Sequence, residues 1–351
     1  MRIITLGYFA FKIFKVFNGN ELMKILYIYR NNSLGFSIGN VFRPIEEEMR
    51  KYAEVDSIYM PCSTASPLSI IKNCWYAFKK ALSGHYDIIH ITGDVHYLAY
   101  ALSVFRNVVV TVHDVGQVVS ARATNKYKLL YFLYVKSLGF AKQVTFISNK
   151  TKDEVLDLYN ISADKCSVVM NPVSPRFTYQ PKMINRERPV ILHLGNRESK
   201  NLKNSAFALA GINCELRVIG KLSEYQKEYL DASGVYYSND YNLTNDEVLE
   251  EYKKCDIVNL PSFYEGFGMP IIEGQTVGRA VVTSNLQPMV DIANGSCVIV
   301  DPSDLESMRE GYQEAIDNYE YYVKRGIENS KRFSIDNIVR QYKVVYKKIK
   351  S

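Results

Sequence analysis

The chain of 351 residues is short of several features that would narrow its class at once. Its six cysteines, Cys62, Cys74, Cys166, Cys214, Cys255 and Cys297, are scattered, with no Cys-x-x-Cys pair and no Cys/His cluster at zinc spacing. That excludes a disulfide scaffold and a structural zinc site, and it reads as reduced, mostly buried thiols of a cytosolic protein. No apolar run is long enough to span a bilayer. No dense Lys/Arg stripe marks a nucleic-acid surface, so no nucleic-acid partner is expected. The first strand is not followed by Gly-x-Gly-x-x-Gly, nor the second by the acidic residue of a dinucleotide site, which argues against an oxidoreductase. The opening "MRIITLGYFAFKIFKVFNGNEL" has lysines at 12 and 15 within its apolar part and no small-residue cleavage site, so it is not a signal peptide. Residues 1–22 read either as an N-terminal extension ahead of a domain beginning at Met23 or as a basic amphipathic helix on a membrane.

What is present points to two domains, since the length exceeds one ordinary core. Residues 1–180 carry 21 Lys/Arg against 13 Asp/Glu, and residues 181–351 carry 22 against 24. The basic first half suits an anionic lipid or a phosphorylated acceptor, and equally an ordinary lysine-rich surface.

From Met23 short apolar runs alternate with amphipathic segments. Strands are expected at 24–29, 55–60, 86–91, 107–113, 143–148 and 166–170, with helices near 43–53, 67–83, 95–105, 123–141 and 151–159. Runs rich in Val, Ile and Tyr with no polar alternation suit parallel strands buried on both faces. The proline-rich stretch 171–189 breaks the rhythm. It then restarts with strands at 189–195, 214–220, 234–238, 255–260, 279–284 and 296–301. Helices are expected near 200–210, 222–232, 245–254 and 268–277, and two or three more in 303–350. The fold class is therefore α/β, two Rossmann-like doubly wound domains in tandem. The organisation reads as an acceptor domain over 23–175, a linker over 176–188, a second domain over 189–332 and a C-terminal helical segment over 333–351 that can pack back on the first domain.

The stretch "PSFYEGFGMPIIEG", Pro261 to Gly274, places Glu265 and Glu273 around a glycine-containing turn that opens a helix. Gly266 and Gly268 permit positive φ or close approach of a ligand, and Pro270 suits a first helical turn. The free amides of such a start attract anions, whereas an ionised glutamate only accepts hydrogen bonds. The arrangement fits a molecule with hydroxyls at both ends and a diphosphate between them. The plainer alternative is a helix capped by Glu265, with Glu273 in water.

The same stretch, continued as "QTVGRAVVTSN", resembles the signature of retaining glycosyltransferases of the GT-B fold, family 4 (glycosyl transferases group 1). The resemblance covers nearly all of the second domain and, more loosely, the first from Met23. It implies two Rossmann-like domains facing across a cleft and a nucleotide-diphosphate sugar as donor. By resemblance Glu265 contacts the donor sugar, the backbone of Phe267, Gly268 and Met269 lines the sugar and diphosphate, and Glu273 holds the ribose hydroxyls. In "HLGNRESKNLKN" (193–204), Lys200-Asn201 matches a basic step after a glycine-ended strand, and Arg197 is the candidate second cation, although Asn196 stands directly after Gly195. In "VVVTVHDVG" (108–116), the resemblance puts His113 near the reaction centre, with Asp114 either fixing its tautomer or capping the next helix. Gly35, in "RNNSLGFSIGN", lies where such a loop approaches the diphosphate. Asp94 reads as a helix cap or, with His96, as a residue near the acceptor. The acidic position that the family shows after a proline is missing or displaced at Pro288-Met289.

No Asp-x-Asp occurs, so neither a bound metal nor any cofactor is expected. Negative charge on the departing diphosphate would fall to Lys200, Arg197 and the helix amides, with Glu265 a stabiliser rather than a nucleophile. The implied activity is hexosyl transfer with retention, to a glycan or lipid-linked acceptor of cell-surface polysaccharide, in the cytoplasm or at the inner face of the membrane. A sugar-nucleotide epimerase and a non-catalytic nucleotide-sugar-binding protein are the rival readings.

Overall fold

The computed structural model describes residues 22–34, 37–105 and 107–350; Gly35 and nearly all of the 1–22 extension lie outside the described residues. The chain divides into two compact units, and not by a single cut. The first holds residues through Thr145, Val155–Ser167 and the chain from Val339 on; the second holds Phe146–Glu154 and Val168–Ile338. Residues 168–175, which the sequence pattern places with the first domain, belong to the second unit.

The first unit is built on a six-stranded sheet ordered β2-β1-β3-β4-β5-β6, from β1 (Lys24–Tyr29), β2 (Glu54–Tyr59), β3 (Ile88–Ile91), β4 (Val108–Val112), β5 (Gln143–Phe146) and β6 (Cys166–Val168). The second sheet runs β12-β11-β10-β7-β8-β9, from β7 (Val190–Leu194), β8 (Glu215–Ile219), β9 (Tyr237–Asp240), β10 (Ile257–Leu260), β11 (Ala280–Ser284) and β12 (Val298–Val300). Pairing is parallel, and β3, β4, β10 and β11 are buried along their whole length, as sheets covered on both faces require. In each sheet the winding direction reverses once, between β1 and β3 in the first and between β7 and β10 in the second. Such a reversal leaves a crevice beyond the carboxyl ends of the two strands.

Among the helices are α1 (Ser37–Met49), α2 (Pro67–Gly84), α3 (Asn149–Leu158), α4 (Leu202–Leu209), α5 (Glu224–Ser233), α6 (Asn245–Lys254), α7 (Met269–Val277), α8 (Leu305–Asp317), α9 (Tyr319–Ser330) and α10 (Ile335–Lys350). Three expected elements differ in form or extent. The helix expected over 43–53 runs from Ser37 to Met49 and carries Pro44 inside it. The long helix expected over 123–141 is broken into an α turn (Tyr127–Leu130), a π turn (Tyr131–Val135) and a 3-10 segment (Lys136–Phe140). The strand expected from Gly234 begins at Tyr237, because Gly234 caps α5 in the left-handed conformation.

Buried polar side chains tie helices to both sheets. The Tyr346 hydroxyl of α10 lies 2.6 Å from His90 Nδ1 and 3.1 Å from the Tyr27 hydroxyl, and His90 Nε2 lies 2.8 Å from Thr111 Oγ1. Burial pulls the His90 pKa down to about 3, so it works there as a neutral imidazole. In the second unit the side chain of Asn259 joins His193, Ser205 and Tyr312, each at 3.0 Å. Arg279, 1% exposed, donates to the carbonyls of Tyr252 and Lys253 at the end of α6 and of Val277 and Gly278 at the end of α7. A buried cation at two helix C-termini satisfies carbonyls that the helices themselves cannot.

Candidate functional site

In the second unit Lys200, Glu265 and Glu273 meet at the β7/β10 reversal. Strand β7 ends at Leu194, and Gly195 turns the chain at φ +91°. A Cβ at Gly195 would stand 3.4 Å from Lys200 Cγ, so glycine both allows the turn and makes room for the lysine stem. A 3-10 turn (Glu198–Lys200) follows instead of the helix start expected at Lys200; α4 begins two residues later, after Asn201 in the left-handed conformation at φ +62°. The buried Asn201 Nδ2 donates to the carbonyls of Pro261 (3.1 Å) and Pro302 (2.7 Å), and Phe263 N donates to the Ser199 carbonyl at 2.8 Å. These bonds hold the β7 loop against the β10 loop.

Their result is a direct ion pair. Lys200 Nζ lies 2.7 Å from Glu265 Oε1, which also accepts from Ser262 Oγ at 2.7 Å. Both charged side chains are largely covered, with 22% and 13% exposure. Glu265 does not cap α7: the capping residue is Gly268, at φ +110° and without a side-chain cap bond. Pro270 stands in the first turn, and Gly274 lets α7 sit close on β10, where a Cβ would come 2.7 Å from Val258. Phe267 is buried in edge contact with Phe333, ring centroids 6.0 Å apart, so only its backbone is offered to a ligand. The turn is held further by Ser148 Oγ, which donates to the Gly266 carbonyl at 3.0 Å.

Glu273, on α7, accepts a hydrogen bond from the Tyr252 hydroxyl at 2.6 Å. Burial raises the pKa of its carboxyl, while the Tyr252 bond and the positive charge of Lys200 pull it back down. Lys200 therefore acts on both glutamates, through contact with one and through its field on the other. Arg197 is exposed next to this group and forms no side-chain ion pair or hydrogen bond among the described residues. Lys200, Glu265, Glu273 and the Phe267–Gly268–Met269 turn thus share one end of one sheet.

The first unit holds the remaining candidates. His113 follows β4 and donates from Nε2 to the Thr92 carbonyl at 2.8 Å, with its ring edge-on to Phe42 at 6.0 Å. Gly93, at φ +146°, leaves space for that ring; a Cβ there would come 2.6 Å from His113 Cδ2. Burial pulls the His113 pKa down, so the neutral form prevails. Asp114 accepts from Gly116 N at 3.1 Å in a turn of its own, while the short helix Gly116–Ser120 starts after Val115 without a side-chain cap; the Thr92 carbonyl orients the histidine. Asp94 is not a cap: it sits at φ +56° and pairs with Arg30, while the short helix Leu98–Leu102 has no side-chain cap. His96 is buried, with Nδ1 2.8 Å from the Tyr134 carbonyl. In the Pro288 segment the acidic residue is Asp291, which accepts from Asn149 at 3.1 Å and from Gln287 at 2.9 Å.

Four residues of these two loop clusters escaped the sequence reading. Ser262 stood in the quoted Pro-Ser pair and Asn201 in the Lys-Asn step, both without a role. Tyr252 and Arg30 carried no signal, because their partners Glu273 and Asp94 are 21 and 64 residues away in the chain.

Residues 177–333 match the family described as "Glycosyl transferases group 1", and residues 41–177 match "Glycosyltransferase Family 4". The O-antigen chain mannosyltransferase B of Escherichia coli is 24% identical over 295 residues, covering 76% of each chain. Among solved structures, the sucrose-phosphate synthase of Thermosynechococcus elongatus superposes with a TM-score of 0.74 at 14% identity, covering 93% of this chain and 99% of that one. Anabaena HepE, solved in complex with UDP and glucose, gives 0.69 at 15% identity, covering 93% and 99%.

Proposed function

Because this chain belongs to the glycosyl transferases group 1 family and is a glycosyltransferase of GT-B fold, we propose that it moves a hexose-type sugar, with retention of configuration, from a nucleotide-diphosphate sugar to a glycan or lipid-linked acceptor in cell-surface polysaccharide synthesis. The relative named as an O-antigen mannosyltransferase supports the polysaccharide setting, and the neighbour solved with UDP and glucose supports a nucleotide-sugar donor. The reading places the reaction in the cytoplasm or at the inner face of the membrane.

The observation that carries it is the Lys200–Glu265 contact of 2.7 Å beside Glu273, at the carboxyl ends of β7 and β10. A donor laid there meets acceptors for its hydroxyls and a cation for its diphosphate. Glu265 accepts from the sugar, Glu273 from the ribose, and the backbone at Phe267, Gly268 and Met269 lines the link between them. Lys200 and Arg197 stabilise the charge that grows on the leaving phosphate as the glycosidic bond breaks. That assignment uses neither a metal nor another cofactor. In the first unit His113 is a neutral imidazole oriented by the Thr92 carbonyl, and the reading gives it a part in the reaction that adds no charge. The departing phosphate oxygen takes the acceptor proton, so no protein nucleophile is required.

The test is sugar transfer by Lys200→Ala and Glu265→Ala with a donor identified by thermal shift across a panel of nucleotide-sugars. Each variant is expected to lose about 10²–10³ in transfer, the scale of removing one charge-stabilising group. Full transfer by both variants would refute the site.

A further inference from the structure

Helix α2 in the first unit is turned opposite to an ordinary surface helix. Its small and polar residues Asn73, Ala77 and Ala81 face inward. Its bulky apolar residues face outward: Leu68 is 72% exposed, Ile71 63%, Trp75 67% and Leu82 57%. With the half-buried Phe78, stacked on Trp75 at 6.4 Å, they are spaced three and four apart and form one stripe along the helix. Phe78 continues the stripe to Phe105 at 5.5 Å, beside Val104, which is 67% exposed. Lys72, Lys79 and Lys80 are exposed on the same helix, which has no Asp or Glu at all. A row of bare large side chains on a surface marks an interaction.

We propose that α2 docks this protein on an anionic membrane surface, with Trp75 and its neighbours in the headgroup–acyl boundary and the three lysines against lipid phosphates. Charge decides among occupants. A second copy of the chain would set three lysines against three lysines with no carboxylate on the helix to meet them. The segment 1–21 is also basic, with Arg2, Lys12 and Lys15 against Glu21. An anionic layer complements the stripe on both counts, and a fluid apolar boundary accepts protruding side chains on the outside of a helix without a matching groove. The inference stands on the first unit alone and does not depend on the transfer reaction.

Trp75 is the sole tryptophan of the chain, so its emission reports this surface alone. The full chain is mixed with vesicles of phosphatidylglycerol and phosphatidylcholine in equal parts, or of phosphatidylcholine alone. A blue shift of emission with the first, absent with the second and reversed by salt, is expected. In vesicle flotation the triple variant Lys72→Gln, Lys79→Gln, Lys80→Gln should partition about a hundredfold less onto the anionic vesicles, with unchanged melting temperature and unchanged transfer to a water-soluble acceptor. Unshifted emission on anionic vesicles overturns the proposal. So does wild-type partitioning by the triple variant, since attachment would then lie elsewhere, for instance in residues 1–21. A lipid-free dimer abolished by Ile71→Ser with Trp75→Ser overturns it in favour of a second copy.

Discussion

The two sheets reverse their winding at different strands, yet each carries a cation–carboxylate pair across the two loops at the reversal. In the first unit Arg30, after β1, pairs with Asp94, after β3; in the second Lys200, after β7, pairs with Glu265, after β10. The surroundings separate them. The Asp94 side chain is 45% exposed, while Glu265 is 13% exposed, shares its pair with Ser262, and has Glu273 near the same lysine. Topology alone brings loops together at a reversal. Covering the charges and adding a second carboxylate makes one of the two places a candidate donor site.

Breaking the pairs one at a time tests that difference most strongly. A double-mutant cycle on Lys200 and Glu265 should show both single variants about 10²–10³ down in transfer and the double no worse than either, because the groups act together. The same cycle on Arg30 and Asp94 should change stability by no more than about 1 kcal/mol, as for a pair partly open to water, with transfer within a few-fold. Equal losses in the two cycles would erase the distinction.

A smaller effect sharpens the role of the first unit. Gly93→Ala forces a side chain into a left-handed position and into the His113 ring, so it should cost about 1–3 kcal/mol in thermal or denaturant unfolding. It should also lower transfer toward the level of His113→Ala. Unaltered transfer in both variants would remove His113 from the reaction.

The smallest shift concerns pH. The Glu273 carboxyl is raised above its ordinary range chiefly by burial. A raised carboxyl pKa stabilises the fold below the unfolded value, and that contribution is lost as pH rises through the folded one. Glu273→Gln should therefore melt higher than wild type at neutral pH while binding donor more weakly. Tyr252→Phe removes a bond that holds the pKa down, so the acid side of the donor-binding profile, read by titration calorimetry, should move to higher pH. An unmoved profile would separate Glu273 from the donor.

Much of this was readable from the chain. Every expected strand has a counterpart, and the central ones are the plainest, because a parallel strand buried on both faces must be apolar throughout, a signal that sits within a few consecutive residues. The turn from Pro261 to Gly274 was equally local, with glycine, proline and glutamate at fixed spacing. Where the reading slipped, the deciding interaction was not local. The helix expected from 43 begins at Ser37; Asp94 reads as a cap and pairs across 64 residues.

The sequence by itself determined the α/β alternation and the twofold organisation, and singled out Glu265, Glu273 and Lys200 as site candidates, since these rest on periodicity and short motifs. Tertiary structure alone decided that Lys200 grips Glu265, that Tyr252 meets Glu273, and that α2 turns its alanines inward and its tryptophan outward. Periodicity fixes which residues share a helix face, but which face is buried depends on neighbours brought in from elsewhere in the chain.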